Sequence, residues 1–282
     1  MELTKYGFIS DPIKMTKAYS NIPKEYLYYE SFLKKKEGFI SSINFLFKDM
    51  SDMTLNTLKN VEDVETMQHI YSILTFLVTR YIWSSDEYTT AQEKNSEGSE
   101  QKFTPHHHLP KYLGWLWHYY AQKLNIKLAV NHFAVDMCNY ILIDIDKPIT
   151  IENIQIVRGA LMYDEELYQS EQWFYKVHVY FELMAGKSIH NVLNIHSLLQ
   201  SYSTSRKEIF TIDLTNELIQ LRESIVVTRS IIKSMYIGCN TNVFFNTIRI
   251  YLSGSNKLEE GGIWIYNGDE YVKEIYVGGS AG

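Results

Sequence analysis

The chain has almost no cysteine. Cys138 and Cys239 are the only two; they sit in no metal-type spacing, and two cysteines make no disulfide framework. A reducing, cytoplasmic setting is the expectation. Long apolar runs are also missing. No stretch reaches the roughly 20 residues that a membrane-spanning helix needs, and the opening Met-Glu-Leu-Thr-Lys has no apolar core of a signal peptide. Excess positive charge is missing too: the formal net charge is −6, which gives no basic footprint for nucleic acid. There is no paired metal motif, no Gly-x-Ser-x-Gly and no phosphate loop. These absences exclude a disulfide scaffold, a membrane protein, a nucleic-acid binder and the common motif-bearing hydrolases and nucleotide enzymes.

What remains is a globular chain of 282 residues with 45% hydrophobic and 21% charged residues, enough for one large domain or two unequal ones. Its 22 Tyr and 13 Phe suit a core, or the walls of a pocket for a flat ligand.

Helical spacing dominates. Residues 62–83 read as a buried helix, with Met67, Ile70, Ile73, Leu74 and Leu77 in register. Residues 84–105 are polar and read as a surface loop. A helix runs from Pro110, a good first-turn residue, to about Leu124. Residues 128–143 are richly apolar, and periodicity alone does not assign them. Residues 144–148 read as a turn. A helix over 165–185 is expected to stop at Gly186, with a second short helix over 189–201. A longer one fits 213–235, with Leu214, Leu218, Leu221, Ile225 and Ile232 forming its apolar stripe. Residues 242–252 are the last helix. Residues 262–277 then alternate around Asn267-Gly268, a hairpin turn pair. The expected architecture is mainly α, with one small β-hairpin near residues 262–277.

Few residues suggest chemistry. His106, His107 and His108 are adjacent, so their side chains do not converge on one ion, and a solvated loop explains them. Cys138 reads as core. Phe174 and His178 lie one helical turn apart, and Phe181 and Glu182 continue that face. A histidine there is either a pocket group or a core residue satisfied by a hydrogen bond. Phe245 and Arg249 are again one turn apart, after Phe244. Such an Arg suits a ligand carboxylate, which it can grip with two parallel bonds, or an internal ion pair. The glycine-rich end at 278–282 allows close backbone approach to a ligand, or is a flexible tail.

Three of these segments carry a resemblance. Residues 244–254 (Phe-Phe-Asn-Thr-Ile-Arg-Ile-Tyr-Leu-Ser-Gly) resemble the signature Phe-Phe-x-x-x-Arg-x-Tyr-Leu-Ser-Gly of the indoleamine 2,3-dioxygenase family. The hairpin Gly-Ile-Trp-Ile-Tyr-Asn-Gly at 262–268 is similar to its Gly-Leu-x-Tyr-x-Gly element, and 278–282 to its Gly-Gly-Ser-Ala-Gly loop. Weaker similarity runs upstream through Gly7-Phe8, Ile22-Pro23, Tyr81-Ile82-Trp83, Leu109-Pro110, Asp146-Lys147-Pro148 and Trp173-Phe174.

The resemblance implies an all-helical haem protein with a small N-terminal domain, 1–124, and the first part of a large haem and substrate domain, 125–282. It implies haem b as cofactor, L-tryptophan or a related indoleamine and O2 as reactants, and N-formylkynurenine as product. Phe244, Phe245 and Arg249 would line the substrate pocket, with Arg249 on the carboxylate. Phe174 would lie over the haem, Gly279, Ser280 and Ala281 beside a propionate, and His132 and Val135 near the cofactor. His178 falls where the related tryptophan dioxygenases have a distal histidine. The family's proximal histidine lies beyond the Gly-Gly-Ser-Ala-Gly loop, so the iron ligand is expected beyond Gly282. The helices over 165–252 should then carry an incompletely covered apolar face prone to self-association. Departures are His132 in place of a Tyr, Asp136 in place of a small apolar residue, and Ser255 in place of a Trp. A degenerate relative without haem, and a haem enzyme for another indole substrate, remain open alternatives.

Overall fold

The computed structural model describes residues 3–84, 105–202 and 207–276. Its architecture is mainly α, with two small two-stranded antiparallel sheets. Four short helices come first: α1 (Pro12–Tyr19), α2 (Lys24–Ser31), α3 (Phe39–Lys48) and α4 (Asp52–Lys59). The first three pack against α5 (Val64–Trp83), which Asp63 caps by accepting from the Thr66 amide at 2.8 Å. A helix that is apolar all round belongs in a core, and every residue of α5 from Thr66 to Trp83 is buried. Helix α6 (Lys111–Lys123) packs on it: Trp117 stacks on Tyr71 and donates from Nε1 to Thr75 Oγ1 at 2.9 Å.

The ambiguous stretch 128–143 resolves into two elements. A π-helical turn covers Phe133–Met137, and β1 (Tyr140–Leu142) pairs with β2 (Ile154–Ile156), Tyr140 opposite Ile156. The turn between these strands is clasped by Asn153, which accepts from the Asp144 amide and donates to the Asp144 and Pro148 carbonyls.

Two of the expected helix boundaries are overturned. Gly186 does not stop a helix: α7 runs unbroken over Glu165–Gln200 and absorbs the separate helix expected at 189–201. Gly186 is there for clearance, because the chain crosses α7 at Tyr6 and Gly7, and a Cβ at Gly186 would lie 2.3 Å from the Tyr6 carbonyl carbon. Helix α8 (Lys207–Lys233) pairs with α7 along its length, through only part of the expected stripe: Leu214 and Leu221 are half-buried. Its buried positions are Ser224, Thr228 and Ile231, while Leu218, Ile225 and Ile232 are exposed. The pairing seam contains polar contacts that must be satisfied, Ser188 with Ser224 at 2.7 Å and Asn191 with Glu217 at 2.8 Å. With apolar residues spread around the helix, spacing alone does not single out which stripe faces α7.

After α9 (Met235–Gly238) comes α10, α-helical over Thr241–Val243, π-helical over Phe244–Ile248 and α-helical again over Arg249–Tyr251. The hairpin β3 (Ile263–Tyr266) and β4 (Tyr271–Glu274) turns at Asn267 and Gly268, the glycine at φ 120°. Asn267 Oδ1 accepts from the Asp269 and Glu270 amides at 3.0 Å, which fixes the loop. The three histidines are not simply a solvated loop. The Trp264 amide donates to the His107 carbonyl and the Leu109 amide to the Trp264 carbonyl, so this segment lies along the free edge of β3. Backbone pairing needs no particular side chain, so the sequence carried no sign of it. No helix among the described residues is long and apolar enough to cross a membrane.

Candidate functional site

Asp164 starts α7 by accepting from the Leu167 amide at 3.1 Å, and Glu165 and Glu166 place negative charge at the helix's positive end. From this start, Phe174, His178 and Glu182 follow one another at single-turn intervals. Opposite them, Asn240 caps α10 through its Oδ1, and the π-helical turn begins at Phe244. π-turns inside helices recur at functional sites because the extra residue re-aims the side chains around it. Here the Phe244 ring comes to 5.0 Å from the Phe174 ring and 5.3 Å from Phe245.

Between these elements lies a cavity of about 260 Å³, lined by Phe174, His178, Ile232, Met235, Tyr236, Cys239, Thr241, Phe244 and Phe245. It is open on the Phe245 side, where that ring is 56% exposed. Trp173 braces the α9 wall: its Nε1 donates to the Ser234 carbonyl at 2.9 Å, and its ring lies so near Gly238 that a Cβ there would clash at 2.6 Å. Burial pushes the Cys239 thiol up, so it enters the cavity as an apolar wall rather than as a nucleophile.

His178 lines the cavity and is half-buried rather than a core residue, although it does make a hydrogen bond within its helix. Its Nδ1 lies 2.8 Å from the Phe174 carbonyl. A carbonyl can only accept, so Nδ1 carries the proton and Nε2 is the uncommitted nitrogen. The ring packs 4.4 Å from Phe174 and edge-on to His132 at 5.6 Å.

His132 itself is clamped. Its Nδ1 is 2.5 Å from Asp136 Oδ2 and its Nε2 is 3.0 Å from Glu182 Oε1. Burial opposes the charged ring, but the bonds to Asp136 and Glu182 outweigh it and raise His132 to about 10. A buried carboxylate at Asp136 is costly unless paired, and His132 pairs it.

The structure thus brings Phe174, His178, Phe244 and Phe245 together, with His132 behind His178. Arg249 is exposed and makes no ion pair among the described residues. Its guanidinium carbon stands 5.9 Å from the Phe245 ring, and Arg249 is not itself one of the cavity's lining residues. Val135 is buried in the core and does not line the cavity. Gly279, Ser280 and Ala281 lie outside the described residues. Sequence reasoning missed Ile232, Met235, Tyr236, Cys239 and Thr241 as lining residues. Ile232, Met235, Tyr236 and Cys239 recur at three- and four-residue spacing, a faint helical signal that α9 makes real. Among the described residues no group of three or more His, Cys, Asp or Glu could hold a metal ion.

Among the described residues the structure thus defines a helical protein with an imidazole-bearing cavity walled by aromatic rings, the kind of concave, mostly apolar surface on which small-molecule sites are built. The family model described as "Indoleamine 2,3-dioxygenase" matches residues 3–282, and the chain belongs to that family. It is also similar to the "Indoleamine 2,3-dioxygenase" of Saccharomyces cerevisiae, 22% identical over 287 residues, which cover 98% of this chain and 56% of the yeast protein. The chain therefore spans about half the length of that relative.

Proposed function

We propose that this chain forms the substrate-facing wall of a haem-dependent dioxygenase that opens the indole 2,3-bond of L-tryptophan or a related indoleamine, giving N-formylkynurenine from tryptophan. The observation that carries the reading is the convergence of Phe174, His178, Phe244 and Phe245 on one cavity, with Arg249 5.9 Å from the Phe245 ring.

Haem b is the cofactor this reading requires. The donor set suits one face of it: aromatic walls, and an imidazole whose Nδ1 is tied to backbone so that Nε2 is left for a ligand. Phe174 would lie against the macrocycle, and the resemblance would put Gly279, Ser280 and Ala281 at a propionate. When bound, the iron supplies the activation of O2, both atoms of which enter the product.

The chain's own residues do the rest. Phe244 and Phe245 pack on the indole and keep water from the ring. His178 Nε2 accepts from the indole N–H and fixes which edge of the ring faces the cofactor. Arg249 takes the carboxylate with two parallel hydrogen bonds, which sets the orientation of the amino-acid end.

The test uses the full-length protein supplied with haem, L-tryptophan and ¹⁸O2. The expected product is N-formylkynurenine carrying both labelled atoms. Opening of another indole but not of tryptophan moves the substrate. Consumption of no indole overturns the reading.

A further inference from the structure

The clamp at His132 has no part in the chemistry above, yet it is an unusual feature for a fold to carry. Asp136 is 2% exposed, and its Oδ1 has no hydrogen-bond partner among the described residues. Burying a carboxylate against an imidazolium roughly breaks even for stability at best, and an unsatisfied oxygen makes it worse. An apolar side chain would fill that position more cheaply, so the clamp calls for another explanation.

Its geometry supplies one. Carboxylates only accept, so with carboxylate oxygens on both ring nitrogens His132 donates from both and cannot swivel without losing two charged bonds. Asp136 belongs to the π-turn and Glu182 to α7, so the clamp ties the π-turn to α7 one turn past His178. The His132 ring then stands edge-on against His178, while Phe174 holds the same ring by its carbonyl and its own ring.

We propose that His132 is a positioning residue: clamped between Asp136 and Glu182, it braces His178 so that Nδ1 stays on the Phe174 carbonyl and Nε2 stays free for a ligand in the cavity. This rests on the cavity being the indole site. A half-turn of the His178 ring would break the Phe174 bond and replace the Nε2 acceptor with a carbon. The brace stops that half-turn.

The experiment compares the full chain, labelled with ¹⁵N-histidine, with Glu182→Gln and His132→Phe. Glu182 is the gentler site, since its side chain is partly exposed and Gln keeps a hydrogen bond. The readouts are the His178 ring-nitrogen signals, which report the tautomer, and calorimetric binding of indole. In the wild type His178 should show a single Nδ1–H tautomer. In both variants it should become a mixture, and indole affinity should fall about three- to tenfold, the scale of one hydrogen bond. If melting temperature drops while the His178 signals stay single, His132 is a structural ion-pair residue and the proposal fails. If indole does not bind the wild type, the functional reading fails, and the tautomer signals still decide the role of His132.

Discussion

Gly186 meets the N-terminal segment backbone to backbone: a Cβ at Gly186 would stand 2.6 Å from the Gly7 nitrogen and 2.3 Å from the Tyr6 carbonyl carbon. Neither neighbour is the movable end of a side chain. Gly7 itself sits at φ 76°, where a side chain is strained. Gly186→Ala should therefore destabilise the protein by about 1–3 kcal/mol, the cost of overpacking, despite alanine's better helix propensity. Urea unfolding measures it. A stabilised Gly186→Ala would mean that the crossing at Tyr6 and Gly7 is loose.

Glu171 links stability to pH. It is fully buried and accepts from the Ala160 and Leu161 amides at 2.9 Å and from Tyr175 at 3.2 Å. Burial dominates those bonds and raises it to about 7. The folded state then holds a proton that the unfolded state releases near the ordinary carboxylate value. Its contribution is full below about 4.5 and is lost as pH rises through about 7. At about 1.4 kcal/mol per pKa unit the change is on the order of 3 kcal/mol. Glu171→Gln should flatten that decline in a series of denaturation curves between these pH values. An undiminished slope would assign it to another group.

The outer face of α8 is the next target. Ile212, Leu218, Ile219, Ile225, Val226 and Val227 are all exposed, an apolar patch of the kind that promotes association. A protein of these 282 residues should sediment above monomer size and bind hydrophobic dye. Ile219→Lys with Val226→Lys should reduce both without lowering helix content. A dye-silent monomer would show that this face is not adhesive.

How legible all this was depended on what kind of force set each feature. Helix α5 was plain because its apolar residues recur at helical spacing, a local signal. The hairpin was plain because Asn267-Gly268 serves the turn directly. Gly186 misled because a glycine needed for clearance looks like one needed for a stop; the partner, Tyr6, is 180 residues away. The apolar residues of α8 misled in part because they are spread around the helix, and the seam with α7 mixes Leu214, Leu221 and Ile231 with Ser224 and Thr228. At the site, single-turn spacing placed Phe174 with His178 and Phe245 with Arg249. That Phe174, His178 and Phe245 line one cavity is a tertiary fact that spacing could not give, and Arg249 stands outside that lining, 5.9 Å from the Phe245 ring. The clamp was half-visible: Asp136 stood out as a carboxylate in place of a small apolar residue, and His132 stands four residues before it.

Arg249 offers the sharpest test of the substrate placement. It is exposed and unpaired among the described residues, with its guanidinium over Phe245. Removing it leaves no buried charge behind, so Arg249→Ala should change folding stability by no more than about 0.5 kcal/mol. A tryptophan carboxylate, however, would lose a charge-assisted contact of roughly 1.5–3 kcal/mol, which lowers catalytic efficiency by about one to two orders of magnitude. Haem content should not move. Arg249→Lys should restore part of the loss, since a point charge attracts the carboxylate but does not reproduce the two-pronged contact. Indole itself has no carboxylate, and its affinity should be the same in both variants. Melting temperature, haem occupancy and kinetics on one preparation of the full-length protein separate the accounts. If stability and haem fall together while the Michaelis constant for tryptophan stays put, Arg249 supports the fold, and the carboxylate must be bound elsewhere.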